Sequence, residues 1–243
     1  MIKHSYKQQK VGHKIIRYLH KGKNGKPLVF SNAFGFSPHL YTEVIDELVN
    51  KGYEVVSPAI AGIYFANQPN TVKDCAEVIA DFCDKIKLDE YYMAGHSTGG
   101  GIALLVGNYS SNVKKAIAFN PILLGKYTFF GLAKTQLVLS KEVKFLAGFL
   151  YNVARNPKAI KNTIVLTLDI ARFNYNSFSV AVRSKILYGE KDEFGFNLDQ
   201  RMEKELKEFN PNLEVKRFPD YGHMWPLHKP KEAVKEISDF LIR

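Results

Sequence analysis

A serine in a glycine-rich turn is the residue of this chain best suited to covalent chemistry. Ser97 lies in the segment Gly95-His96-Ser97-Thr98-Gly99, which fits the pattern G-x-S-x-G. A serine hydroxyl is a weak nucleophile at neutral pH and needs a base within hydrogen-bond reach. A histidine can take its proton and return it to a leaving group, while a carboxylate fixes the imidazole tautomer. The pattern therefore indicates attack by Ser97 on a carbonyl, with a histidine and a carboxylate as partners.

The residues around Ser97 predict a strand, a sharp turn and a helix. An apolar segment at 91–94 enters the motif, and a segment of small and apolar residues at 101–106 leaves it with helical character. The flanking glycines have no Cβ, so strand and helix can approach closely. The amides at the start of the helix favour a developing negative charge beside the serine. The competing interpretation is a glycine-rich turn whose serine only caps a helix.

Strands and helices alternate along the rest of the chain. Strands are expected over residues 6–11, 14–19, 27–30, 53–56, 91–94, 115–119, 184–188 and 213–218. Helices are expected from Ser37-Pro38 to Gly52, behind a Thr71 capping box, after Ser97, over 198–209 and over 230–242. Asn24-Gly25 is a hairpin-turn signal leading to the apolar run at 27–30. The alternation favours a parallel sheet covered on both faces.

Three motifs in chain order give this sequence a resemblance to the α/β-hydrolase fold family. Ser97 matches the nucleophile, Asp192 in the strand-Gly-x-x-Asp segment 186–192 matches the acid, and His223 after 218–222 matches the base. The resemblance implies a single domain over 1–243, with a mostly parallel eight-stranded sheet and helices on both faces. It also implies a helical cap over 122–182, inserted after strand 6.

Several nearby residues compete for these roles. Glu190 and Asp220 are alternative carboxylates, but Glu190 leaves its strand too early and Asp220 is expected to shape a turn. His96 is expected to pack rather than react. His223 and His228 could suggest a metal pair, but no third ligand is placed nearby. Some members of the family carry the acid at the end of the sixth strand; Asn120 stands there, which favours Asp192.

The site that would hold the oxyanion departs from the family pattern. The resemblance implies one donor at the backbone amide of Thr98 and another at Phe34, in a loop often written His-Gly-x-Gly. Here that loop reads Asn32-Ala33-Phe34-Gly35. Any non-proline residue supplies an amide, but Ala33 lacks the freedom of glycine at positive φ. Phe36, Met224 and Trp225 are expected to line the substrate pocket.

The segment 122–182 is rich in apolar residues at helical spacing, more than a short exposed insertion needs. If part of that surface lines a cleft above Ser97, an apolar acyl or aryl substrate is favoured. A cap that is only well packed explains the composition equally well. The segment also carries eight Lys or Arg residues against Glu142 and Asp169. A weak, salt-screened attraction of anionic substrates or lipid surfaces is a second expectation.

Composition sets broader limits. The chain has 243 residues, 46% hydrophobic residues and a net charge of +10, but its lysines are spread and no nucleic-acid motif appears. Cys75 and Cys83 would lie about 12 Å apart on one helix, too far for a disulfide. No signal peptide and no apolar stretch of membrane-spanning length is seen, so a cytoplasmic location is expected.

The combined hypothesis is a serine hydrolase that cleaves carboxylic esters of a small-molecule acyl substrate through an acyl-enzyme. No cofactor and no metal is implied, and the oligomeric state is left open. A thioesterase, an acyltransferase or a carbon–carbon bond hydrolase could use the same three residues. A ligand-binding or signalling protein of the same fold, with little turnover, is the alternative from another class.

Overall fold

The computed structural model describes residues 6–59, 71–122, 165–166, 168–169, 179–192 and 198–242. Its centre is an eight-stranded sheet in the order β1-β2-β4-β3-β5-β6-β7-β8. The strands are β1 (Lys7–Val11), β2 (Lys14–Lys21), β3 (Lys26–Ser31), β4 (Tyr53–Pro58), β5 (Tyr91–His96), β6 (Val113–Phe119), β7 (Arg183–Gly189) and β8 (Leu213–Phe218). The mostly parallel, eight-stranded sheet predicted from the sequence is confirmed.

Strand direction follows the connections. The β1–β2 and β2–β4 pairs are antiparallel, and the other five neighbouring pairs, from β4–β3 to β7–β8, are parallel. Parallel strands need crossover connections, and helices supply them wherever the structure describes the connecting residues. The carboxyl ends of β5, β7 and β8 therefore meet at one edge of the sheet. The loops after these three strands carry Ser97, Asp192 and His223.

Helices cover both faces. Those whose bounds the structure gives are α1 (Thr42–Asn50), α2 (Val72–Lys85), α3 (Thr98–Val106), α4 (Gln200–Phe209), α5 (Trp225–His228) and α6 (Pro230–Ile242). One buried cluster packs α2 and α3 against the sheet, through residues such as Ile79 and Ile102. The second cluster packs α1 and α6 against the opposite face, through Ile45 and Ile237. The core thus lies in two layers, one on each side of the sheet.

The helix-start predictions fared differently. Thr71 caps α2, since its hydroxyl accepts a hydrogen bond from the Asp74 amide at 3.0 Å, as the capping box predicts. Ser37 makes no side-chain cap, and Pro38–Tyr41 forms a 3₁₀ turn before α1 begins. The four-residue spacing of Leu40, Val44 and Leu48 predicts Leu40 on the inward face of this helix, but Leu40 is 42% exposed. The tighter 3₁₀ turn changes the phase of the residues ahead of α1 and turns Tyr41 inward instead.

The hairpin indicated by Asn24-Gly25 is wrong. β2 and β3 do not pair, because β4 lies between them and bonds to both. The turn itself is present, with Asn24 at a φ of +60°. A Cβ on Gly25 would lie 2.5 Å from the carbonyl oxygen of Gly52, so the glycine lets this turn pass close to the start of β4. Turn chemistry was recognised correctly, but the pairing it usually accompanies was not formed.

Most of the predicted cap, 122–182, lies outside the described residues. Of the part that is described, Leu166 packs into the α2–α3 core cluster, and the Asp169 carboxylate accepts a hydrogen bond from the Val72 amide at 2.8 Å. A carboxylate at this position also complements the positive end of the α2 dipole. Both cysteines, Cys75 and Cys83, are buried and free. None of the helices in the described ranges is long and apolar enough to cross a membrane.

Candidate active site

The turn between β5 and α3 holds Ser97 in a strained backbone conformation. Its φ is +56° and its ψ is −121°, a region that residues with a Cβ rarely adopt. Three backbone bonds hold the turn: the Ser97 amide donates to Phe119, and its carbonyl accepts from Gly101 and Ile122, at 2.9–3.3 Å. The residue is 7% exposed. Strain maintained by surrounding contacts is typical of a site where a side chain must be aimed.

The glycines of the motif allow the turn to be this sharp. A Cβ on Gly95 would lie 2.1 Å from the carbonyl oxygen of Gly99, and a Cβ on Gly99 would lie 2.2 Å from that of Ser31. All the atoms met are backbone, which cannot move aside as a flexible side chain could. Glycine is therefore required at both positions by the approach of strand, helix and the loop after β3.

We expect Gly99→Ala to lower the free energy of unfolding by about 3 kcal/mol or more, since it overpacks a backbone contact. For a chain of this size that is a fall of roughly 6–12 °C in Tm, measurable by calorimetry. Gly100→Ala is the matched control. Its Cβ would meet no atom closer than 3.2 Å, and alanine is a better helix former than glycine. Equal losses in the two variants would contradict this account of the turn.

Asp192 and His223 form a buried pair beside this turn. His223 Nδ1 lies 2.7 Å from Asp192 Oδ2, and both side chains are nearly inaccessible to solvent. The loops that carry them are bonded to each other, since the Lys191 amide donates to the Tyr221 carbonyl at 3.0 Å. A Cβ on Gly189 would lie 2.3 Å from that same carbonyl oxygen, so glycine allows the two loops to touch. A carboxylate held against Nδ1 leaves Nε2 as the nitrogen that exchanges a proton.

Asn120 and Trp225 extend this pair in a way the sequence did not predict. The Asn120 amide donates to Asp192 Oδ2 at 2.7 Å and accepts from the Trp225 indole N–H at 3.0 Å. Asn120 follows β6 at a φ of +41°, a conformation that asparagine tolerates better than most residues. The position of Asn120 at the end of the sixth strand was the only sequence signal for its role. The indole bond joins partners 105 residues apart and has no local signature.

The competing residues are placed elsewhere. Asp220 is exposed and pairs with Lys191, whose ammonium holds the pKa of that carboxyl below its usual value. Glu190 lies 3.7 Å from an Arg217 nitrogen. His228 is exposed at the end of α5. In the described ranges no group of three or more His, Cys, Asp or Glu side chains is arranged to hold a metal ion.

The sequence of the loop after β3 differs from the family pattern, but Ala33 does not strain the backbone of the loop. The left-handed conformation falls at Gly35, with a φ of +75°, and Ala33 is not among the described residues with a positive φ. The Phe36 amide bonds back to the Ala33 carbonyl at 3.0 Å, which closes a turn. Asn32 ties the loop to β4 through the Pro58 carbonyl at 3.2 Å. Alanine at 33 therefore carries no backbone penalty.

Two residues predicted to line the pocket are largely buried. Phe36 is 6% exposed and packs against Tyr41, in the cluster under α1 and α6. Trp225 is 3% exposed, with its ring against Phe119 and its N–H on Asn120. These contacts account for their burial, and a place for either residue on the pocket wall stays a prediction. Met224, also predicted there, is half-buried and touches both core clusters.

Comparison with known proteins agrees with this architecture. A family model described as the alpha/beta hydrolase fold matches residues 26–161, more than half of the chain. No curated protein sequence gives a significant match.

Solved structures with the same fold are numerous, at low sequence identity. A putative lipase from Acinetobacter baumannii AYE has a TM-score of 0.73 and 19% identity, covering 98% of this chain and 91% of its own. A thermophilic esterase from Thermogutta terrifontis has a TM-score of 0.71 and 14% identity, with 98% of each chain covered. The Cif epoxide hydrolase from Acinetobacter nosocomialis has a TM-score of 0.74 and 18% identity, covering 99% of this chain and 90% of its own. With the family match, the sheet order and the turn at Ser97, these comparisons show that the chain belongs to the α/β-hydrolase fold family.

Proposed function

We propose that this protein is a serine hydrolase that cleaves carboxylic esters through an acyl-enzyme. The observation that carries the proposal is the buried His223–Asp192 pair, 2.7 Å apart, at the sheet edge where the strained turn presents Ser97. A paired and oriented imidazole next to a serine in such a turn is the arrangement that activates a hydroxyl nucleophile.

The reaction proceeds in two halves. Ser97 Oγ attacks the ester carbonyl while His223 Nε2 takes its proton, and Asp192 stabilises the imidazolium that forms. The backbone amides of Phe34 and Thr98 donate to the oxyanion. His223 then protonates the departing alcohol, leaving an acyl group on Ser97. Water attacks that acyl group while His223 takes its proton, and His223 then returns the proton to Ser97 Oγ as the bond to the acyl group breaks and the acid is released.

Two features of the loop after β3 support an oxyanion site there. In the described part of the chain, neither the Phe34 amide nor the Thr98 amide donates a hydrogen bond to a protein acceptor. Thr98 directly follows Ser97, and the Gly99 backbone packs against Ser31 and Asn32, which brings the loop that contains Phe34 close to this turn. Amides left free at a helix N-terminus and in a tight turn are suited to a developing negative charge.

The structural neighbours agree with a hydrolase without naming the substrate. They include a putative lipase, an esterase, an enol-lactonase and an epoxide hydrolase. One fold hosts several reactions, so the choice among them depends on the site. The serine at 97 favours acyl transfer to the protein over attack on an epoxide. A thioester, or a carbon–carbon bond beside a carbonyl, remains an alternative substrate for the same residues.

An acyl-length series tests the substrate class. If 122–182 lines the cleft with apolar groups, we expect kcat/KM for p-nitrophenyl esters to rise with chain length over the first several carbons. Each methylene buried contributes up to about 0.8 kcal/mol, or roughly fourfold. Thioesters of the same acyl groups, assayed in parallel, separate an esterase from a thioesterase. A flat profile would remove the apolar pocket from the account.

Ionic strength separates a second contribution. The eight basic residues of 122–182 against two acidic ones predict a preference for an ester carrying a carboxylate over a neutral ester of equal length. That preference should shrink between low salt and about 0.5 M salt, because exposed charges are screened. If the two esters respond identically to salt, the basic residues have no role in substrate attraction.

A further inference from the structure

His96, the residue before Ser97, is a buried titratable group that the proposed reaction does not use. It is fully buried, and its ring centroid lies 4.8 Å from that of His223. Burial, and secondarily the neighbouring His223, hold the pKa of His96 well below its usual value. The ring is therefore neutral, with one nitrogen donating a hydrogen bond and the other accepting one.

The partners of His96 fix which nitrogen carries the proton. Nε2 lies 2.9 Å from the backbone carbonyl of His223, which can only accept, so Nε2 must donate. Nδ1 is then an acceptor, and it lies 2.7 Å from the hydroxyl of Tyr41, which donates to it. Only one tautomer satisfies both contacts.

Tyr41 extends this series of hydrogen bonds to the loop after β3. Its hydroxyl oxygen accepts a hydrogen bond from the Ala33 amide at 3.2 Å. Tyr41 is fully buried in the α1–α6 core, and burial raises the pKa of its hydroxyl, so the proton stays in place. All the hydrogen bonds in this series are donated in the same direction, from the Ala33 N–H through the Tyr41 hydroxyl and the His96 ring to the His223 carbonyl.

This series of hydrogen bonds ends at the two parts of the site whose relative position matters for the proposed reaction. Ala33 immediately precedes Phe34, the proposed oxyanion donor, and is bonded across the turn to Phe36. His223 is the proposed base. The hydrogen bonds that connect these two ends span long stretches of sequence. Tyr41 and His96 are 55 residues apart, and His96 and His223 are 127 residues apart.

We propose that Tyr41 and His96 are positioning residues that hold the oxyanion loop and the base at a fixed separation across Ser97. The inference rests on the proposed function for the identity of the two ends. Misplacement of a reacting group by about 1 Å can cost on the order of a hundredfold in rate, so a defined separation has a direct effect on turnover.

The test is Tyr41→Phe, with Tyr91→Phe as the matched control. Tyr41→Phe keeps the ring and removes one oxygen, leaving the Ala33 amide and His96 Nδ1 without their partner. Tyr91 is equally buried and lies at the opposite end of β5 from His96. We expect kcat for an ester to fall about ten- to a hundredfold in Tyr41→Phe, with KM nearly unchanged. Tyr91→Phe should keep kcat within about twofold.

Two further measurements separate positioning from a general loss of structure. A phenylboronic acid forms an adduct that places an oxygen where the oxyanion forms. Its inhibition constant should rise in Tyr41→Phe by a factor similar to the loss in kcat. In protein with ¹⁵N-labelled histidine rings, wild-type His96 should show the Nε2–H tautomer. Tyr41→Phe should move the ring signals of both His96 and His223, whereas Tyr91→Phe should move neither.

The outcomes are distinguishable. Unchanged kcat and boronate inhibition in Tyr41→Phe, or unmoved His223 signals, would overturn the positioning role. A wild-type protein that hydrolyses no ester, but whose His223 signals move in Tyr41→Phe, would overturn the proposed function and support the link from Tyr41 to His223.

Discussion

Ser97→Ala is expected to abolish ester hydrolysis, with kcat falling roughly 10⁶-fold, the scale seen when a serine protease loses its nucleophile. The substitution removes the oxygen that would form the acyl-enzyme. It adds no volume to a residue that is 7% exposed. It leaves in place the three backbone bonds that hold the turn. Steady-state assays on p-nitrophenyl esters, with circular dichroism and Tm to verify folding, measure the effect.

Ser110→Ala is the matched control for this variant. Ser110 is buried to a similar extent, at 8% exposed, and lies in the turn after α3, away from the carboxyl edge of the sheet. We expect it to retain wild-type kcat. A Ser97→Ala protein that is folded and turns over ester at the wild-type rate would refute the assignment of the nucleophile.

Asp192→Asn is expected to lower kcat by roughly 10⁴-fold while the fold is kept. The carboxylate is the acceptor for His223 Nδ1 and also for the Asn120 amide. An asparagine at 192 can turn its own amide N–H toward the imidazole and favour the wrong tautomer, as the loss of a triad carboxylate does elsewhere. The measurement is kcat at saturating ester, with KM determined in the same series.

Two carboxylates in the adjacent loops provide the comparison. Asp220→Asn breaks an exposed pair with Lys191, and Glu190→Gln weakens a contact with Arg217, so each should change kcat by less than about threefold. A larger loss in either variant than in Asp192→Asn would move the acid to that position.

Much of the architecture could be predicted because it depends on local pattern. Alternation of strands and helices, with Thr71 capping α2 and Gly95 and Gly99 flanking the turn at Ser97, is encoded within a few residues of each element. Parallel strands have their carboxyl ends at one edge of the sheet, and the three residues matched through the family resemblance, Ser97, Asp192 and His223, all follow strands at that edge.

What could not be predicted depends on contacts between distant parts of the chain. The turn at Asn24-Gly25 suited a hairpin, but β4 pairs with β2 and enters between the two strands. Trp225 was predicted as a pocket residue because it is two residues from His223, but its indole bond to Asn120 joins parts of the chain 105 residues apart and could not be predicted. A residue's distance along the chain from His223 does not determine which distant side chains its ring contacts.

Asn120 and Tyr41 were missed as supporting residues for a related reason. Each is an ordinary residue type at the end of a strand or in a 3₁₀ turn, and its role exists only through a partner 55 or more residues away. The Ala33 substitution raised the opposite problem. It suggested a disturbed oxyanion loop, while the structure places the left-handed residue at Gly35 and leaves Ala33 unstrained.

Covalent labelling with a fluorophosphonate tests the central claim most directly, since it asks whether one serine is activated and which one. We predict a single adduct by intact mass spectrometry, mapped to the peptide containing Ser97, absent in Ser97→Ala and strongly slowed in Asp192→Asn. A wild-type protein that takes no label, or takes it on a serine other than Ser97, would contradict the assignment of a serine hydrolase centred on Ser97, Asp192 and His223.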